Sequence, residues 1–269
     1  MRLLFLGTCT FGDASSSPVL NPFENISDCL HIGDIVFLNM NGIISPRKLY
    51  SNEKFNSSGK QLLSLKKLIP HIPIVVTFKN DNLARGDEGV KDTERFLKKN
   101  GFIFSADVLK PILYNNLCIF DFTTVDLLVD SSIMKHTIPL HITATLDKLL
   151  LDIISGYVKP IRKIIIIIKT HVRTNVHRLL FDCISEKMID AGASVVFGYG
   201  NHNLVKNNYK KYKKGLIITS LGDLVNCNMN REKCYENKTE ICLYNTLSKR
   251  YDTLEIKRII FEECLLPDN

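Results

Sequence analysis

The chain has 269 residues, of which 45% are hydrophobic and 23% charged. These proportions are those of an ordinary globular protein and exclude a disordered or collagen-like chain. Its 35 basic and 28 acidic residues leave a formal charge of +7, which tolerates an anionic partner without requiring one.

Eight cysteines are spread along the chain, and no two form a Cys-x-x-Cys pair. That spacing argues against a zinc knuckle or a thioredoxin-type motif. Cys118, Cys183 and Cys242 lie within apolar runs, where cysteine acts as a small hydrophobe. Reduced structural thiols and a cytoplasmic location are expected. The apolar run 164–168 is far short of a membrane span, so no membrane-spanning segment is expected. Residues 2–7 are too short for a signal-peptide core and read as a buried strand.

Taken in order, strands are predicted at 2–7, 34–39 and 73–78, each a short apolar run. Asn39 and Asn41 stand at the end of the second. Residues 60–69 have apolar side chains at helical spacing, and Pro70 ends that helix. A helix over 88–99 carries acidic residues in its first turn and lysines in its last, with Gly101 placed to cap it. Short strands follow at 102–104, 117–122 and 125–129, then a helix at 147–155. The isoleucine run at 163–168 is a further strand, leading through Thr170 and His171 into a helix over 175–191. Strands at 194–197 and 216–219 enclose a Gly-Tyr-Gly-Asn-His cluster and a lysine-rich loop. Residues 240–246 and 253–262 alternate as an antiparallel pair closing a sheet edge. Alternating strands and helices predict one α/β domain over 1–269.

Six segments in this order carry a family resemblance: FLGT (5–8), DIVFLNMNG (34–42), KNDNLARGDEGVKDTERFLKKNGF (79–102), IIIIIKTH (164–171), MIDAGASVVFGYGNH (188–202) and GLIITSLGDL (215–224). The chain resembles the capsule-biosynthesis CapA, or poly-γ-glutamate synthesis, family, whose domain has the calcineurin-like metallophosphoesterase fold. The resemblance implies an α/β/β/α sandwich of mixed sheets with an antiparallel C-terminal edge pair. It also implies a metal site built from strand ends, and here the chain departs from the pattern. Thr8 stands where a metal-ligating carboxylate is implied, and Asn41 where a Glu is implied. Lys79, Asp81, Ala84 and Gly200 replace an Asn, a His, an Asp and a His, while Asn80, His171 and His202 match.

A two-metal hydrolase needs carboxylates and neutral imidazoles to balance two divalent cations. The matched positions supply only His171, His202, Asp81 and Asn80, enough for at most one divalent metal. The resemblance therefore implies a catalytically degenerate member acting as a binding or structural protein, with another protein as partner. An alternative is a divergent metal-dependent phosphoesterase using His171 and His202 as residual catalytic groups. A second alternative is weak binding of nucleic acid or phosphate through Lys210, Lys211, Lys213 and Lys214, which are interleaved with tyrosines. In the family the equivalent loop connects into the next strand, and a solvated turn is expected there.

Overall fold

Apolar runs rich in β-branched residues form the strands of this protein, and apolar residues three or four apart form its helices. The computed structural model describes residues 1–11, 23, 26–31, 33–45, 56–57, 59–78, 86–105, 110–122, 151–152, 154–158, 163–169, 175–199, 209–226, 239–245 and 253–259. The strands are β1 (Arg2–Thr10), β2 (Ile35–Met40), β3 (Ile43–Ile44), β4 (Asn56–Ser57), β5 (Ile74–Thr77), β6 (Ile112–Tyr114) and β7 (Leu117–Phe122). They continue with β8 (Lys163–Lys169), β9 (Val195–Tyr199), β10 (Tyr209–Tyr212), β11 (Gly215–Ile218), β12 (Asp223–Asn226), β13 (Thr239–Asn245) and β14 (Thr253–Ile259). The helices named by number are α1 (Ser27–Leu30), α2 (Lys60–Leu68), α3 (Gly86–Lys99) and α4 (Asn175–Asp190), and residues 151–152 and 154–156, overlapping the helix predicted at 147–155, are helical as well. The architecture is mixed α/β, with parallel and antiparallel pairing in both large sheets.

The chain divides into two units, the first formed mainly by Met1–Phe104 with Leu221–Asn269, the second by Ser105–Asn201 with Val205–Ser220. In the first unit the sheet order is β14-β13-β1-β2-β5. The amino half of β1 pairs antiparallel with β13, and its carboxyl half pairs parallel with β12. One face carries Leu4, Leu6, Val36, Leu38 and Val76, which pack in a cluster with Leu62 and Leu65 of α2 and Leu97 of α3. The opposite face begins with Leu3 and Ile35, then Phe5, Phe37 and Val75, all buried. Phe5 and Phe37 stack with centroids 4.6 Å apart. The end of α3 closes as predicted: Gly101 takes φ 67°, its N–H donates to the Lys98 carbonyl, and the Phe102 N–H donates to Leu97. The segment after β2 is held to α3 by side chains, the Ser45 hydroxyl donating to Asp92 at 2.8 Å and the Ile44 N–H to the Thr93 hydroxyl at 2.9 Å.

In the second unit the order is β10-β11-β9-β8-β7-β6. The strands β11, β9, β8 and β7 run parallel, and an antiparallel hairpin stands at each edge. Ile164–Ile168 of β8 are at most 1% exposed, so this run is buried on both faces. That is the reason it reads as continuous hydrophobic sequence without alternation. Ile164, Ile166 and Ile168 pack with Phe181, Met188 and Ile189 of α4.

Most predicted elements are present within one to three residues, and the C-terminal antiparallel pair is there as β13 and β14. Three expectations are revised. Residues 209–212 form an edge strand and not a solvated turn, because the turn itself is only Lys213-Lys214, with Lys213 at φ 49°. The predicted strand at 102–104 is a single bridge between Val75 and Ile103. The strand from residue 2 runs on to Thr10, past the glycine that was expected to end it. The predicted strand 125–129 lies outside the described residues.

Candidate functional site

In open α/β sheets, ligand sites form beyond the carboxyl ends of parallel strands. The first unit has such an edge where β12, β1, β2 and β5 run side by side. The aligned residues form a row: Asp223 beside Thr8, Thr8 beside Asn39, and Asn39 beside Thr77. The same sheet face is therefore apolar over its amino half and polar over its carboxyl half. A bulge makes this possible. Between Phe5 and Thr8 β1 advances three residues, while β2 advances only two, from Phe37 to Asn39. Plain alternation would put Gly7 on the face of Phe5; the extra residue puts Thr8 there instead.

The row is closed by its own hydrogen bonds. Thr77 Oγ1 donates to Asn39 Oδ1 at 3.1 Å, and Asn39 Nδ2 donates to Thr8 Oγ1 at 3.2 Å. All three side chains are at most 3% exposed. The Thr8 N–H donates to the carbonyl of Gly222 at 2.9 Å, and Gly222 takes φ 75°, a conformation in which a side chain would be strained. One rung further out, the Asn41 N–H donates to the Cys9 carbonyl at 2.8 Å. Thr10 Oγ1 and Asn41 Oδ1 are buried there without a hydrogen-bond partner among the described residues.

Of the sequence-predicted positions, the structure thus brings Thr8 and Asn41 to the carboxyl ends of two neighbouring strands. Lys79, Asn80, Asp81, Ala84, His171, Gly200 and His202 lie outside the described residues. Sequence reasoning noted Asn39 without assigning it a role and missed Thr10 and Thr77. The signal for Thr77 was a hydroxyl next to the end of the apolar run 73–78. Chemically Thr8, Asn39 and Thr77 offer neutral hydroxyl and amide groups, which orient a polar group but do not offset the charge of a divalent cation. Among the described residues no three His, Cys, Asp or Glu side chains gather as metal ligands.

The second unit has a polar edge of different character. Asp121, in β7, is 3% exposed and accepts a hydrogen bond from the Tyr199 hydroxyl of β9 at 3.3 Å, across the intervening β8. Gly198, next to Tyr199, lies so close to β11 that an added Cβ would come within 2.5 Å of the Thr219 carbonyl oxygen and 2.8 Å of the Phe181 ring. Sequence reasoning did not single out this pair either, although a carboxylate inside the apolar run 117–122 is a visible signal.

The lysine-rich hairpin is partly committed to its own helix. Lys210 Nζ lies 2.8 Å from Glu186 and 3.6 Å from Asp182, and Lys213 Nζ lies 2.5 Å from Asp190. The Asp190 carboxylate holds the Lys213 ammonium above the usual lysine range. Tyr212 packs against the apolar cluster under α4, whereas Tyr209 is 46% exposed. Lys211 and Lys214 are exposed, so the strand alternation turns only part of this Lys/Tyr pattern to solvent.

No family model and no curated protein matches the sequence. Among solved structures, the chain is similar to that of a hypothetical protein from Thermus thermophilus. The TM-score is 0.53 at 11% identity, over 96% of this chain and 99% of that one. At that identity the likeness concerns the fold alone. Among the described residues no helix is long and apolar enough to cross a membrane.

Proposed function

We propose that this chain is a divergent relative of the CapA family, with the layered α/β/β/α sandwich of metallophosphoesterases and a degenerate metal site, acting as a binding or structural protein. The observation that supports this reading is the Thr8–Asn39–Thr77 row. Thr8 stands where the family pattern implies a ligating carboxylate, in the carboxyl half of β1, which runs parallel to β2 and β12. Its hydroxyl is engaged by an uncharged amide. A two-metal centre needs anionic ligands to hold its cations roughly 3.5–4 Å apart. A row of neutral groups bonded to one another keeps the strand ends in register and lacks that charge.

The implied metal meets a poor donor set on the described side of this site. Asn41 offers an amide oxygen where the pattern has a Glu, and Thr8 a hydroxyl already hydrogen-bonded to Asn39. Neither of these two groups carries the negative charge with which carboxylates hold a divalent cation.

The test is metal analysis of protein purified without chelator, together with turnover of a generic phosphodiester in added Mn²⁺. No stoichiometric metal and no turnover are expected. Tight stoichiometric metal, or turnover abolished by His202→Ala, would overturn the proposal in favour of a divergent phosphoesterase.

A further inference from the structure

We draw no further inference here: the strongest candidate, the rung of Thr10 and Asn41 at the carboxyl ends of β1 and β2, belongs to the site already described, and nothing among the described residues shows what covers it.

Discussion

The polar edges of the two units solve the same problem with different chemistry. In the first, three neutral side chains on adjacent strands satisfy one another in sequence, Thr77 to Asn39 to Thr8. In the second, a buried carboxylate, Asp121, takes a hydrogen bond from a phenol two strands away. A buried neutral hydrogen bond contributes about 1 kcal/mol, and one to a charged group about 1.5–3 kcal/mol. The neutral row therefore acts mainly as a spacer that sets strand register, while Asp121 is a group whose burial must be offset by donors.

The largest effect is expected at the close approach beneath the Asp121 edge. Gly198→Ala forces its new Cβ against the Thr219 backbone and the Phe181 ring, and should lower stability by roughly 3 kcal/mol. Urea denaturation followed by circular dichroism measures this; an unchanged midpoint would mean that β9 and β11 are not packed as described. Next is Tyr199→Phe, which removes one donor, at 3.3 Å, to the buried Asp121 carboxyl and should cost about 2 kcal/mol. A loss no greater than that of an ordinary surface substitution would erase the contrast between the two edges.

Asn39→Leu tests the neutral row. It deprives both Thr8 and Thr77 of their shared partner, and a loss of about 2 kcal/mol is expected. The companion Thr77→Val should cost less, about 1 kcal/mol, because Asn39 keeps its bond to Thr8. If Asn39→Leu leaves the midpoint unmoved or raises it, the row does not hold the strand ends together.

The smallest effect lies at the opposite, amino end of the first sheet. Asp34 accepts hydrogen bonds from the Arg2 N–H and guanidinium, the closest at 2.8 Å. Burial alone would raise the Asp34 carboxyl, but the Arg2 hydrogen bonds and charge, with the N-terminal ammonium, outweigh it and hold the carboxyl below its usual range. A carboxyl lowered in the folded state contributes stability that is present above its unfolded pKa, about 4, and lost as pH falls through the folded value. Asp34→Asn should flatten that part of the acid limb in a pH series of thermal midpoints. Because the pair is more than a third exposed, the change should be small and should shrink with added salt. An acid limb identical to that of the parent chain would show that this clamp contributes nothing.

Much of the architecture was legible in the chain itself. The isoleucine run of β8, the helix α3 with its Gly101 cap and the terminal pair β13–β14 follow from local composition and spacing, which act over a few residues. The hairpin at 209–218 was not, since a lysine-rich stretch looks like solvated loop until its partner strand is known. The candidate site was legible only in part. Thr8 and Asn41 could be picked out by position, but the partners that engage Thr8 come from residues 31 and 69 positions further along the chain, Asn39 directly and Thr77 through it.

What the sequence determined by itself was the mixed α/β class, the order of most elements and the neutral chemistry of Thr8 and Asn41. What only the tertiary structure decided was which face those side chains occupy and what they touch. The bulge between Phe5 and Thr8 is the physical reason. Side chains alternate with a period of two, so one extra residue in β1 turns Thr8 from one face of the sheet to the other. Backbone pairing with β2 and β12 sets where that residue is inserted, and no local pattern in the chain records it.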